Sequence, residues 1–552
     1  MNRSEGAQLS QQLANGVMAM LRRRRPPEAD LSPTDHQALE DLVQKLTAAL
    51  SVGATSLSIE EGQRELLERS GWLTDPPQLM VLDGDQLHWK RWHQAMQCLE
   101  KELIDRSHTL PSGGQANAVN PPELGTLNAE QRAAVHAITR HRLVMVSGGP
   151  GTGKTSTVQA MLLQAMAERE ALRIHLAAPT GKAARRLEEA LQSDPQTKGL
   201  PCTTLHRLLE ARPGGFGRNS RHPLNLDVLV VDEASMVDLN LAQALLAALP
   251  REAQLVLVGD ANQLPPIGVG AVWQHLQHPE RRHRFGDAAI SLHKIYRNRG
   301  DLARLGSLLR NAGDEAFWNA CNGLDEQANV ALQICNDRRI PDSVTQTLRH
   351  RLAELSRATA ALSTDSEGQP NPTTSAELLS RLDDLIVLCP RRRGPWGVDA
   401  LHRDLLQGED PAGWPEGLPV LCSENQMDLG LANGDLGLTI GKGASRRFLF
   451  RCNDGNAGSL FRLIHPARIR QLEPALALTI HKAQGSEVNK VIVLWPPQDG
   501  SDSSALLYTA MTRARQRLML YRLAPAVIDG MLEGSGDGSK RVNTGGTPLG
   551  LV

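Results

Sequence analysis

Eight consecutive residues, Gly148-Gly149-Pro150-Gly151-Thr152-Gly153-Lys154-Thr155, satisfy the pattern G-x-x-x-x-G-K-[ST]. Glycines at these places let backbone N–H groups wrap phosphate oxygens, and the start of a following helix adds its dipole. Lys154 is placed to reach the outer phosphates, and the Thr155 hydroxyl is placed to ligate Mg2+. Further on, Val230-Val231-Asp232-Glu233 ends an apolar run in two carboxylates. The first, Asp232, suits magnesium; the second, Glu233, suits the general base that activates a water, so the expected chemistry is hydrolysis of ATP. A third run ends in Gly259-Asp260-Ala261-Asn262-Gln263, where the Gln263 amide can reach a γ-phosphate or its water. Two arginines complete the set: Arg297, in Tyr296-Arg297, and Arg513, in Thr512-Arg513-Ala514. An arginine supplied across a cleft neutralises the transferring phosphate and couples its presence to closure of the cleft.

Such a set needs strands whose carboxyl ends converge. From Leu127 to about Arg299 short apolar runs, Leu143 to Val146, Ile174 to Ala177, Val228 to Val231 and Leu255 to Val258, alternate with helical stretches. Runs apolar at every position predict a parallel sheet covered on both faces. A second series, Leu385 to Leu388, Val491 to Leu494 and Leu518 to Tyr521, predicts a second such lobe. The α/β reading therefore has two parallel-sheet P-loop lobes, over 127–300 and 301–532. Asp301 to Asp384 reads as helical and polar. Between Gly417 and Gln471 four short β-like runs separated by glycines predict a small barrel-like insertion in the second lobe. Residues 1–108 read as a separate, mainly helical domain with one hairpin turning at Asp83-Gly84-Asp85. Residues 109–126 read as a Pro/Gly/Asn-rich linker and 533–552 as a disordered tail.

Composition narrows the class. The chain has 552 residues, 41% hydrophobic and 22% charged, enough for several packed domains. With 60 Lys and Arg against 61 Asp and Glu, any nucleic-acid contact must use local basic clusters, since the overall field is nearly neutral. The run Arg22 to Arg25 reads as the solvated end of an amphipathic helix. Seven cysteines without a C-x-x-C pair exclude a zinc ribbon and suggest reduced, buried thiols. No apolar run approaches the roughly 18 residues that span a bilayer and the start lacks the order of an export signal, so a soluble cytoplasmic protein without membrane contact is expected. Aromatic residues make up 3%, which leaves little surface for stacking on bases and favours contact with a sugar–phosphate backbone. No carboxylate cluster beyond the ATP site suggests a nuclease.

Further motifs carry a resemblance. Leu127-Asn128-Ala129-Glu130-Gln131, Ala178-Pro179-Thr180-Gly181-Lys182, Thr203-Thr204-Leu205-His206-Arg207, Thr479-Ile480-His481-Lys482-Ala483-Gln484-Gly485-Ser486-Glu487 and Thr512-Arg513-Ala514 follow the order found in superfamily 1 helicases. "VLVVDEASMVD", "RRGPWGVDALH", "LANGDLG", "TIHKAQGSE" and "LLYTAMTRARQRL" resemble the RecD family within it. "MVLDGDQLHWKRW" is similar to the segment before that family's linker, with His88 and Trp92 standing where tyrosine-like residues are expected. The resemblance implies RecA-like lobes, an SH3-like insertion near 417–471, and a strand-splitting hairpin within Arg212 to His222, near 210–224. It gives Gln131 the reading of adenine. It places Pro179, Thr180, Lys182, His206, Thr479 and His481 on a DNA strand, and makes Gln484, Gly485 and Glu487 the link from that strand to ATP. It implies a 5′-to-3′ motor acting on single-stranded DNA and duplex ends, in a heterotrimer with RecB-like and RecC-like subunits docked on the N-terminal domain. The absence of a much longer N-terminal extension favours the complex-forming members. A purely regulatory ATPase subunit, a stand-alone helicase or an RNA-directed one would share these motifs. Residues 313–385 match nothing in the family pattern.

Overall fold

The computed structural model describes residues 31–51, 53–74, 78–110, 127–192, 194–296, 300–324, 328–406, 408, 411–452, 460–497 and 503–524, with Gly16 alone before them. The basic run Arg22 to Arg25, most of the expected linker, Arg297 and the expected tail lie outside the described residues.

The first lobe is a six-stranded parallel sheet. Its strands are β4 (Leu143–Gly148), β5 (Ile174–Ala178), β6 (Cys202–Thr204), β9 (Val228–Val231), β10 (Gln254–Gly259) and β11 (Ala289–Leu292), in the order β11-β4-β10-β9-β5-β6. Every residue of β9 and β10 is buried. Alternate side chains serve two cores: Leu229, Val231, Leu255 and Leu257 pack on one face. Val228, Val230, Val256 and Val258 pack on the other. This is why these strands are apolar at every position instead of alternating. In-register pairing brings Gly259 beside Ser147 and Leu292 beside Gly148, so the carboxyl ends of these strands form one edge.

The segment before this lobe is less independent than its sequence suggests. β1 (Ser56–Ser58), β2 (Met80–Asp83) and β3 (Gln86–Trp89) form an antiparallel sheet in the order β1-β3-β2. The helix Lys90–Ser107 that follows inserts Met96, Leu99 and Leu103 into the first-lobe core. Its Glu100 side chain, 4% exposed, holds His275 (3.1 Å), Arg281 (2.9 Å) and Arg284 (2.6 Å). Burial alone would raise the Glu100 pKa, but His275 and Arg281 outweigh it and the net direction is downward. Arg106 donates to the carbonyls of Leu249, Pro250 and Ala253. The expected separate domain ending at 108 is thus joined to the motor through this helix.

The second lobe holds β12 (Val330–Cys335), β13 (Leu385–Cys389), β19 (Ala477–Thr479), β20 (Val488–Trp495) and β21 (Ala514–Leu523), parallel and ordered β12-β21-β20-β13-β19. β12 lies inside the stretch, Asp301 to Asp384, expected to be helical and polar apart from a Ser/Thr/Pro/Asn-rich break near Ser363 to Ser375. It is a half-exposed edge strand of mixed polarity, paired only to β21, so it lacks the continuous apolar run that marks the buried strands. Between β13 and β19 the chain forms β14 (Pro419–Cys422), β15 (Leu436–Ile440), β16 (Arg447–Cys452), β17 (Leu460–Ile464) and β18 (Leu472–Pro474), an antiparallel sheet ordered β17-β16-β15-β14-β18. The insertion expected to be barrel-like is therefore an open sheet in its hydrogen bonding, with β17 and β18 as edges. Val420, Cys422, Phe448 and Phe450 share a core with Val387, Ile492 and Leu494, which mounts the insertion on the second lobe. Near the first lobe's edge, β7 (Ala211–Arg212) and β8 (Gly215–Phe216) make the expected hairpin. Its turn passes through Gly214 at φ +91°, a conformation glycine adopts without strain.

Candidate functional site

β4 runs into the phosphate-loop sequence, and the helix Lys154–Glu168 starts directly after it. Gly151 and Gly153 are left-handed, at φ +73° and +84°. A Cβ at Gly148 would lie 2.6 Å from the Thr152 hydroxyl, and one at Gly153 2.6 Å from the Gln131 amide nitrogen. Glycine is thus required at both places for close approach, and at Gly153 for its backbone angle as well. The Lys154 ammonium donates to the Gly148 (2.7 Å) and Gly149 (3.2 Å) carbonyls, which hold it at the mouth of the loop. Gln131 accepts from the Asn128 backbone N–H (3.0 Å) in a helix capping box, and from the Tyr296 hydroxyl (3.3 Å). Tyr296 in turn donates its backbone N–H to Gly151 (2.8 Å).

Asp232 follows β9, and its carboxylate accepts from the Glu233 backbone N–H at 2.8 Å. Burial and the neighbouring Glu233 charge push its pKa up to about 6, against the pull of Lys154. Glu233 itself is left-handed, at φ 52° and ψ 43°, a conformation that costs a non-glycine residue on the order of 1 kcal/mol. Gln263 is 4% exposed. Its amide N–H2 reaches Asp260 at 3.5 Å, while its carbonyl oxygen has no partner among the described residues. A buried unpaired acceptor facing a polar cleft is what a missing water or ligand leaves behind.

That cleft has a volume of about 800 Å³. The first lobe contributes Gln131, Gly149, Pro150, Gly151, Gly153, Lys154, Thr155, Asp232, Glu233 and Gln263 to it; the second contributes Glu487, Arg513 and Arg515. The lobes are joined by direct bonds beneath it. The Leu264 backbone N–H donates to the Thr509 hydroxyl (3.0 Å), the Gln484 amide donates to the Leu264 carbonyl (3.2 Å), and the Tyr508 hydroxyl donates to Asp260 (2.9 Å). Arg513 is buried and donates to the carbonyls of Thr509 (3.0 Å) and Ser486 (3.1 Å), which aim its guanidinium.

Residues missed in the sequence cluster at this seam. Arg186 donates to Glu487 (2.8 Å) and to the Gly485 carbonyl (3.3 Å). Burial would lower its pKa, but Glu487, Glu233 and Asp232 together raise it. Arg515 approaches the same Glu487 carboxylate at 3.5 Å. Arg186 stands one helical turn after Lys182, so the i, i+4 spacing was the available signal. Tyr508 and Asp260 carried no signal without the fold.

The expected strand-contacting residues divide. Thr180 caps the helix Gly181–Leu191 by accepting from the Ala183 N–H (3.3 Å). Gly485 packs against that hydroxyl, and Gly181 against Ala432 and Asp435 of the insertion. Lys182 is largely buried, 4.0 Å from Asp383, and burial lowers its pKa to about 8. His206 lines a second cavity of about 290 Å³ with Thr203, Thr204 and Arg207 on one side and Leu431, Ala432 and Asp435 of the insertion on the other. Its ring lies 6.3 Å from that of Phe216 in the hairpin. Pro179 leads into Thr180, Thr479 ends β19 and His481 follows it; like Pro179, Thr180 and Lys182, these two line neither cavity.

Two stacked parallel-sheet lobes that share a phosphate-loop cleft, bonded through the loop after the third strand, define a P-loop motor core of the helicase type. Residues 131–269 match the family described as AAA domain, and residues 474–521 match the UvrD-like helicase C-terminal domain. The chain is 34% identical over 491 residues to "RecBCD enzyme subunit RecD" of Mycolicibacterium smegmatis, an overlap covering 82% of this chain and 80% of that protein. It is 33% identical over 442 residues to "ATP-dependent RecD2 DNA helicase" of Deinococcus radiodurans, covering 76% of this chain and 53% of that protein. Among solved structures, Bacteroides Pif1 bound to ssDNA is similar at 17% identity and a TM-score of 0.38, covering 71% of this chain and 92% of that one. The chain belongs to the RecD family of superfamily 1 helicases. No helix among the described residues is long and apolar enough to cross a membrane.

Proposed function

We propose that this chain is an ATP-dependent 5′-to-3′ DNA helicase, the RecD-type subunit of a heterotrimer with RecB-like and RecC-like partners that processes duplex ends for recombination and repair. The observation that carries this reading is the Gln263-Leu264 loop: Gln263 faces the nucleotide cleft, and Leu264 is bonded to Thr509 and Gln484 of the other lobe. A change at the γ-phosphate therefore pulls directly on the second lobe.

In this reading the loop from Gly148 to Thr155 takes the phosphates of ATP, Lys154 leaves its two carbonyls for the outer phosphates, and Gln131 faces the adenine. The hydroxyl of Thr155 and the carboxylate of Asp232 are hard oxygen donors of the kind Mg2+ takes; when bound, the ion supplies neutralisation of phosphate charge. Glu233 accepts a proton from the water that attacks the γ-phosphorus as the bond to ADP breaks. Gln263 orients that water, while Arg513 and Arg297 offset charge on the transferring group. Release of phosphate removes the partner of Gln263 and loosens the seam. One cycle opens and closes the lobes 127–300 and 301–532 once, and the groove carrying Pro179, Thr180, Lys182, His206, Thr479 and His481 moves along a DNA strand by one step. The hairpin at 211–216 stands beside His206, where it can part a duplex, and the five-stranded insertion near 417–471 walls the groove. Residues 1–108 serve as the docking domain.

ATPase assays with single-stranded DNA and with RNA of equal length test the substrate, and duplexes with a 5′ or a 3′ tail test the direction. Stimulation by DNA and preference for the 5′ tail are expected; equal stimulation by RNA, or preference for the 3′ tail, overturns the assignment.

A further inference from the structure

We propose that Asp83, His88 and His93 form a binding site for a divalent transition cation, Zn2+ fitting best, which fastens the β2–β3 hairpin to the helix Lys90–Ser107. One ligand atom from each of the three side chains lies within 4.8 Å of the others. They come from three elements: Asp83 ends β2, His88 stands on β3, and His93 lies in the first turn of the helix. The backbone fixes this convergence. Val81 pairs with His88 across the ladder, Gly84 turns the hairpin at φ +63°, and the Lys90 N–H donates to the Leu79 carbonyl (2.8 Å) where strand becomes helix.

The chemistry of the set selects the ion. Two imidazoles and one carboxylate give two nitrogens and one oxygen, a set suited to Zn2+, whereas Mg2+ and Ca2+ take oxygen donors. The imidazole rings lie 4.7 Å apart at 55°, too tilted to stack. Asp83 is exposed, and its ion pair with Arg281 is long, at 3.8 Å, so the carboxylate is not committed elsewhere by a strong bond. Tetrahedral Zn2+ with bonds of about 2.0 Å needs ligand atoms roughly 3.3 Å apart, a contraction within reach of side-chain rotation at Asp83 and His93, with water in the fourth position.

The site would do more than bind an ion. The helix it grips carries Leu99 and Leu103 into the first-lobe core and Glu100 into its ion pairs with His275, Arg281 and Arg284. A cation there would stiffen the path from the N-terminal sheet to the motor without touching the ATP cleft.

The test uses the full-length chain stripped with chelator, titrated with Zn2+ alone by calorimetry, and with Co2+ followed by its visible absorption. Expected are one tight Zn2+ per chain, tetrahedral-type Co2+ bands, and a chelator-reversible rise in melting temperature. His93→Gln and, separately, Asp83→Asn should weaken binding at least tenfold and remove the rise, while melting like the parent in chelator. His93 and Asp83 are the less constrained positions, so folding is preserved even where His88→Asn unfolds the hairpin. Equal Zn2+ affinity in parent and both variants, or no Zn2+-dependent rise in the parent, overturns the proposal.

Discussion

Thr509→Val is the sharpest probe of how the cleft drives the second lobe. The substitution keeps the side-chain shape and removes the hydroxyl that accepts the Leu264 N–H at 3.0 Å. Thr509 is fully buried, so in the closed arrangement water cannot replace it and the Leu264 N–H is left unpaired. An orphaned buried N–H costs about 1–3 kcal/mol, which shifts an equilibrium between closed and open lobes by roughly 5- to 150-fold toward open. The Gln484 amide still holds the Leu264 carbonyl, so the lower half of that range is expected. Fluorescence energy transfer between dyes on the two lobes, read with a non-hydrolysable ATP analogue, measures closure; base pairs opened per ATP measure coupling. Both should fall while nucleotide affinity without DNA changes little. Unchanged closure and coupling in a variant that melts normally would refute the reasoning, because the loop would then not transmit the cleft's state.

Three other outcomes follow from the same geometry. Glu233→Gln should lower kcat for ATP hydrolysis by about 10²–10⁴-fold with nucleotide binding retained, read by steady-state ATPase and a fluorescent nucleotide. Glu100→Ala should destabilise the chain by about 3 kcal/mol by leaving His275, Arg281 and Arg284 without their shared acceptor. Because the folded Glu100 pKa is lowered, its stabilisation is present above the ordinary carboxylate range and is lost as pH falls through the lowered value, so parent and variant should converge in acid denaturation. Gly53→Ala should lower the melting temperature, since Gly53 sits at φ +83°, its carbonyl accepts from the Gly270 N–H, and an added Cβ would lie 2.7 Å from the Pro266 carbonyl oxygen.

The sequence was most readable where chemistry and burial demand one solution. Val228 to Val231 and Leu255 to Val258 are apolar at every position because both faces of the sheet are covered, and Lys154, Asp232 and Glu233 follow from what phosphate and Mg2+ require. Less visible were features that depend on distant partners. β12 becomes a strand through pairing with β21, nearly two hundred residues later in the chain, and its own residues signal little. Leu99 and Leu103 announce a buried helix face but not that the first lobe buries it. Tyr508 and Asp260 gain meaning only when the lobes meet, and Arg186 is marked along the chain only by its i, i+4 spacing from Lys182. Thr479 and His481 were placed by family order, and of the strand-contacting candidates His206 alone lines either of the two cavities.

The central claim, that this chain is itself a 5′-to-3′ motor, is tested most directly by Lys154→Gln in the assembled complex, followed by unwinding from a 5′-tailed duplex. Loss of ATP hydrolysis by this chain together with loss of unwinding from the 5′ tail is the expected result; unwinding from the 5′ tail at the parental rate would contradict it.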